Sequence, residues 1–261
     1  MSRWDPDTYL KFEHERTIPS QDLVARIDLN DPKAIVDIGC GPGNSTNVLR
    51  TAWPQAEVIG LDNSKEMIGK AQATYPGYKW ILADAAVWQS DTKWDIVFSN
   101  ATLQWIPNQA KVLKHMFDQI KGTGALAAQV PFNTDSALYK AIVTVSKSPK
   151  WRDVMKGCGD QIFYRDEIYY YQIISQLSTR VDMWTTTYFH IMESHQSLLE
   201  WYSSTGLKMY LERIEDDAGR RQFKTEILEA CKMNYPVQEN GKILFPFKRV
   251  FFVAYKNESE T

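Results

Sequence analysis

In the stretch AIVDIGCGPGNSTNVLR, Asp37 stands two residues ahead of the first of three alternating glycines, Gly39, Gly41 and Gly43. Glycine weakens regular structure, so a cluster between an apolar run and a helix-like segment marks a place where backbone and ligand come close. The spacing is G-x-G-x-G, one residue short of the G-x-G-x-x-G turn that seats a dinucleotide pyrophosphate. A carboxylate so near the glycines is an awkward neighbour for phosphate. It suits a cationic amine.

Asp62 ends a second apolar run about twenty residues further on, where an acid accepts hydrogen bonds from ribose hydroxyls in sheets of this kind. Asp84 ends a third run, YKWILAD. A carboxylate there can accept from an adenine amino group while the N–H of Ala85 reads a ring nitrogen. An amine, a ribose and an adenine without phosphate together describe S-adenosylmethionine. Asn44 and Asn63 adjoin these groups and join the expected cofactor set. Met67 is placed to pack on the adenine. Asn100 and Ala101, beyond a fourth run, face the centre of methyl transfer.

These side chains need a scaffold that brings the ends of successive runs together. KAIVDIG, EVIGLD, YKWILAD, WDIVFSN and ALAAQV are β-branched or apolar runs of strand length. Between them lie GNSTNVLRTAW, with Asn44 and Ser45 as capping candidates, SKEMIGKAQATY, capped by Ser64, and NQAKVLKHMFDQIK, closed by GTG. Strand and helix alternate, which predicts a doubly wound α/β fold with a mostly parallel sheet and ligands at the carboxyl ends of its strands. Asp7 to Ile27 reads as a leading helix. After Asn133 the pattern changes. Helical pieces over 133–151, 164–178 and 194–235 surround two alternating runs, VDMWTTTYFHIM and RVFFVAYK. The expectation is a core over residues 1–132, and over 133–261 a helical lid with an antiparallel C-terminal strand pair, all in one domain.

A net charge of -2 and the lack of a basic, aromatic-interleaved stripe argue against a nucleic-acid partner. No apolar run is long enough to span a membrane, and the charged N-terminus is no secretory signal. Cys40, Cys158 and Cys231 lie too far apart for metal-ligand spacing or a disulfide framework, so no metal is expected and a reducing, cytoplasmic setting is.

VDIGCGPGNS, VIGLDNS, LAD and IVFSNATLQW occur in order and resemble the motif series of class I S-adenosylmethionine-dependent methyltransferases. A narrower resemblance runs nearly end to end. WDPDTYLKFEHERTIP, NATLQWIPN, WTTTYFHIM, STGLKMYL and YPVQENGKILFPFKRVFFVA are similar to the trans-aconitate 2-methyltransferase family. That resemblance implies a Rossmann-like fold and methyl transfer to a carboxylate of a small tricarboxylic acid. It also implies that the N-terminal segment carrying Tyr9, Phe12 and Arg16 closes over the cofactor. Where the family tends to carry arginine, this chain has Lys208, a point charge rather than a bidentate fork.

An ionised carboxylate needs no base, so no catalytic residue is expected beyond those that align the acceptor. The candidates for the acid are Gln104, Trp105, Tyr188, His190, Trp201, Lys208 and Arg249. Alternatives stay open: another small acid, an acyl-carrier-linked acid, or a natural-product hydroxyl with His190 as base. A binder of S-adenosylmethionine without catalysis is a further alternative. A monomer or weak homodimer is expected.

Overall fold

The central strand β1 (Ala34–Ile38) is buried at every position, because its β-branched residues are covered on both faces of the sheet. The computed structural model describes residues 13–203 and 205–257. Among them, β1 is flanked by β2 (Glu57–Asp62) and β4 (Trp94–Asn100), with β3 (Lys79–Leu82) beyond β2. On the other side follow β5 (Ile120–Pro131), β7 (Ile243–Tyr255) and β6 (Arg180–Met192), giving the order β3-β2-β1-β4-β5-β7-β6. The first five strands are parallel and β7 runs antiparallel to β5. This is the mostly parallel α/β sheet with an antiparallel C-terminal pair that the alternation predicts.

The helices differ in detail from the sequence reading. Helix α1 is described over Glu13–Ala25, and the start of the expected leading helix lies outside the described residues. Helix α2 (Asn44–Ala52) is not capped by Asn44 or Ser45. Its N-cap is Gly43, in the left-handed region at φ 99°, with no side-chain cap. Helix α3 (Lys65–Thr74) is capped as expected, Ser64 Oγ accepting from Met67 N at 3.2 Å. Helix α4 (Gln109–Asp118) ends before GTG, which lies inside β5 instead. There the β4–β5 register shifts between Trp94 and Ile96, and Gly124 is required by close approach. A Cβ on it would fall 2.6 Å from the Asp95 carbonyl oxygen.

The chain divides into two units. The sheet unit comprises Arg16–Pro131, Arg165–Thr186 and the residues from Arg249 on. It includes helix α6 (Glu167–Ile174), capped by Asp166. Tyr170 on α6 is fully buried, its ring 5.6 Å from that of Phe252, and its hydroxyl donates to Gln109 Oε1 at 2.7 Å. Burial pushes this phenol well above its ordinary pKa, so it stays a donor at any physiological pH.

The helical unit is built chiefly from Phe132–Tyr164 and Thr187–Lys248. The long helical piece expected after Ser194 is broken into α7 (His195–Ser203), α8 (Lys208–Leu211) and α9 (Asp217–Cys231). With α5 (Ala137–Ser146) these surround an aromatic core. Trp151 meets Phe223 edge-on at 5.1 Å, and its indole N–H donates to Glu226 Oε2 at 2.6 Å. The Tyr235 hydroxyl accepts from Leu138 N at 3.0 Å, tying the first turn of α5 to the segment after α9.

Replacing Tyr170 by Phe removes a buried donor and leaves Gln109 Oε1 without it, at a cost of about 1–3 kcal/mol. Urea denaturation is expected to show a lower midpoint with an unchanged slope.

Candidate functional site

The glycine turn is held from below by one buried acid. Asp37, the penultimate residue of β1, is fully inaccessible, and its Oδ2 accepts from Ser45 Oγ (2.6 Å) and Thr46 Oγ1 (2.7 Å) in the first turn of α2. Burial raises this carboxyl from 3.8 to about 6, against the two hydroxyl bonds that lower it and with a smaller upward push from Asp62. Its other oxygen, Oδ1, has no hydrogen-bond partner among the described residues. An unsatisfied carboxylate oxygen beside a glycine turn is chemically suited to an ammonium group.

The three glycines have different reasons to be glycine. All have positive φ: 74° at Gly39, 54° at Gly41 and 99° at Gly43. A Cβ on Gly39 would sit 2.1 Å from Thr102 Oγ1, whose hydroxyl lies 3.1 Å from the Gly39 carbonyl oxygen. A Cβ on Gly43 would sit 2.6 Å from the Trp80 ring. At Gly41 nothing lies within 4 Å of that position, so the backbone faces open space.

The amides of the turn point inward. Gly39 N and Cys40 N both donate to the Leu61 carbonyl, at 2.7 and 3.0 Å, and Gly43 N donates to the Cys40 carbonyl at 3.0 Å. Gly41 N donates to Asp62 Oδ2 at 2.9 Å, while Ser64 N donates to Asp62 Oδ1 at 2.8 Å. Asp62 therefore organises the turn itself. Each of its oxygens retains acceptor capacity for a ligand hydroxyl. Burial raises its pKa, opposed by these backbone bonds. A turn whose N–H groups are engaged and whose neighbours are two carboxylates is built for a cation and not for phosphate.

Past β3, Asp84 is exposed and its Oδ1 accepts from Ala86 N at 2.8 Å, with Ala85 buried beside it. Leu82 and Val87 flank it with large exposures of 53% and 73%. Two apolar side chains left in water on either side of an acid suit a flat aromatic ligand, and sequence reasoning did not single them out. Met67 is buried in the first turn of α3, and Asn63 is exposed. Asn44 opens α2. At the end of β4, Ala101 has φ 54°, uncommon for a residue with a Cβ. Gln104 Nε2 donates to its carbonyl at 2.6 Å, and Ala101 N donates to the Gln129 carbonyl at 2.9 Å.

The expected substrate residues divide between the units. Gln104, buried, Trp105, 41% exposed, and Arg249, buried, belong to the sheet unit. Tyr188, His190, Trp201 and Lys208 belong to the helical unit. There the His190 ring lies 5.1 Å from Trp201 and 6.0 Å from Phe247, and Trp201 meets Phe247 edge-on at 5.0 Å. Lys208 is largely buried and pairs with Glu212 at 3.8 Å. Tyr9 lies outside the described residues, as does the side chain of Arg16. Thr46, Trp80 and Thr102 shape the turn but were not read from sequence, and Ser45 was read only as a helix cap. Their roles come from tertiary contacts, and no local spacing announces them.

Comparison with known proteins agrees with this geometry. Residues 29–188 match a family model described as a methyltransferase domain. A trans-aconitate 2-methyltransferase of Rhodopseudomonas palustris (strain BisA53) is 36% identical over 260 residues, covering 98% of this chain and 100% of the relative. One from Escherichia coli O7:K1 is 36% identical over 262 residues, covering 99% and 100%. Among solved structures, a methyltransferase from Bacillus halodurans superposes with a TM-score of 0.59 at 14% identity, covering 91% of this chain and 98% of its own. The plantazolicin methyltransferase BamL, solved with a substrate analogue and SAH, gives 0.54 at 12% identity, covering 96% and 90%.

Because the folded-state pKa of Asp37 is raised, the folded protein binds this proton more tightly than the unfolded chain does. Stability should therefore fall as pH rises from about 4 to about 6, by about 3 kcal/mol from this group. Asp37→Asn should lack that slope, which denaturation at several pH values would measure. Gly41→Ala is expected to cost only the left-handed strain of roughly 1–2 kcal/mol. Gly39→Ala adds the collision with Thr102 and should destabilise more in the same measurement.

Proposed function

We propose, from the premise that this chain belongs to the trans-aconitate 2-methyltransferase family of methyltransferases, that it transfers a methyl group from S-adenosylmethionine to one carboxylate of a small polycarboxylic acid, trans-aconitate foremost. The observation that carries the cofactor reading is the glycine turn with its amides engaged and its carboxylates, Asp37 and Asp62, unopposed by phosphate-binding groups. The substrate reading is carried by identity to the named relatives across their whole length.

S-adenosylmethionine supplies, when bound, a methyl group already activated by a sulfonium. The chain's residues then have four tasks. Asp37 Oδ1 faces the amino end, with Asn44, Asn100 and Ala101 nearby in the chain's turns. Asp62 and Asn63 take the ribose hydroxyls. Asp84 and the N–H of Ala85 read the adenine edge, while Met67, Leu82 and Val87 cover its faces. Gly41 keeps the turn clear of any Cβ. Tyr9 and Arg16 complete the set.

The acceptor is a carboxylate, already ionised near neutral pH. No side chain has to remove a proton, so the protein's contribution is alignment, which can supply roughly 7–11 kcal/mol. Cationic and hydroxyl groups that hold the acid, each charge-assisted bond contributing about 1.5–3 kcal/mol, are drawn from Tyr188, His190, Lys208 and Arg249, with Gln104 as an amide partner and Trp105 and Trp201 as apolar groups that exclude water. Cys40, Cys158 and Cys231 are buried free thiols, and no helix among the described residues is long and apolar enough to cross a membrane. The free thiols are in keeping with the reducing, cytoplasmic setting proposed here, in which a monomer or weak homodimer works on a diffusing metabolite.

The test is methyl transfer to trans-aconitate, cis-aconitate, citrate and isocitrate, with the product weighed by mass spectrometry. A monomethyl ester formed fastest from trans-aconitate is expected. Cofactor binding without turnover on any acid would overturn the acid reading in favour of another acceptor or a non-catalytic binder.

A further inference from the structure

Three paired residues form a row across the first three strands, on the face of the sheet that carries α2. Asp37 of β1 is opposite Gly60 of β2, and Gly60 is opposite Trp80 of β3. Paired residues of parallel strands point to the same face, so Asp37 and Trp80 flank a position with no side chain. The Trp80 ring lies over that position. A Cβ on Gly60 would fall 2.4 Å from Trp80 Cζ3 and 3.0 Å from Cys40 Sγ. Gly60 is not among the glycines with positive φ, so room for the ring is its reason to be glycine.

The ring reaches the glycine turn as well. A Cβ on Gly43, the N-cap of α2, would fall 2.6 Å from Trp80 Cη2 and 2.9 Å from Tyr75 Cδ2. One indole therefore excludes a side chain at two glycines on two different elements. Its other edge is anchored, Nε1 donating to the Tyr75 carbonyl at 3.2 Å. Tyr75 stacks on Tyr78 at 5.3 Å, and the Tyr78 hydroxyl donates to Asn47 Oδ1 at 2.8 Å. The Arg50 guanidinium lies 4.3 Å from the centre of the Tyr78 ring. Gly43, Asn47 and Arg50 follow one another at helical spacing, so they share one face of α2. The segment from Tyr75 to Trp80 is clamped along that face, while Asp37 holds Ser45 and Thr46.

The start of α2 has no side-chain cap. Two grips stand in its place, the hydroxyl bonds to Asp37 and the contact of the Trp80 ring with Gly43. Without the ring, Gly43 is free to shift, and a shift there carries with it both Gly41 and the hydroxyls that hold Asp37. We propose that Trp80 is a positioning residue for the methyl donor, acting through Gly43 to keep the glycine turn in the form that binds S-adenosylmethionine. This rests on the reading of the glycine turn as the S-adenosylmethionine site and adds to that site a residue from the strand beyond it.

The test is calorimetric titration of the folded variants with S-adenosylhomocysteine, beside steady-state kinetics with S-adenosylmethionine and trans-aconitate. Trp80→Phe keeps an aromatic ring on β3 but loses the atoms that reach Gly43 and the indole donor. Its Kd for S-adenosylhomocysteine should rise at least fivefold and its KM for S-adenosylmethionine in step, while kcat and the acid KM stay within twofold. Gly60→Ala, which drives the ring from its seat without altering Gly43, should raise the Kd in the same way. In the Trp80→Phe background it should add less than it does alone, because both changes act through one ring. Tyr78→Phe removes only the hydroxyl bond to Asn47 and keeps the stack. It should raise the Kd two- to threefold, and it decides the matter if the other variants do not fold. A merely structural role predicts lower melting temperatures with the Kd unchanged below the transition, and that result overturns the inference alone. A rise confined to the acid KM, or a fall in kcat alone, overturns it as well. Wild-type protein that takes up no S-adenosylhomocysteine overturns the cofactor reading beneath it.

Discussion

The burial of Asp37 constrains everything around the glycine turn. A carboxylate buried near the carboxyl end of a central strand is costly to leave bare, and here it is met by two hydroxyls from the next helix. That grip fixes where α2 begins relative to β1. The intervening residues must then close a short path, and they do so with three left-handed backbones. Leu61 and Asp62 on the neighbouring strand absorb the amides this path would otherwise strand. The amides of the turn are consequently saturated.

Much of this was legible in the sequence, and the reasons are local. Strands β1, β2 and β4 carry β-branched residues and stop at Gly39, Asp62 and Asn100 in turn, so their limits were readable. The Ser64 cap sits in a pattern with one physical meaning. The glycines and Asp62 follow from a turn that requires them. What was not legible depends on register and packing. GTG reads as a helix stop, but it is the widened part of β5 lying against Asp95. Asn44 and Ser45 read as caps, yet the hydroxyl of Ser45 is drawn to Asp37. Thr102 and Trp80 matter because of what lies opposite them, sixty-three and thirty-seven residues away from Gly39 and Gly43 along the chain.

The second half of the chain divides in a way that alternation alone could not foretell. Helix α6 belongs with the sheet because Tyr170 is buried against Phe252 and bonded to Gln109. The segments on either side of it form a separate aromatic core, in which Trp151, Trp201, Phe223 and Phe245 are all buried. Trp151 and Trp201, with Tyr202, Tyr210 and Tyr235, help to build that second core in few residues.

The inward-facing amides bear on competition inside a cell. Adenosine triphosphate and its relatives share the nucleoside of the methyl donor and are far more abundant than most cofactors. A site that recognised only adenine and ribose would be filled by them. Here a triphosphate would find the amides of Gly39, Cys40, Gly41 and Gly43 already bonded and two carboxylates, Asp62 and the buried Asp37, close to the turn. In the proposed cofactor site the same hydrogen bonds would act as a charge filter, disfavouring common nucleotides by repulsion.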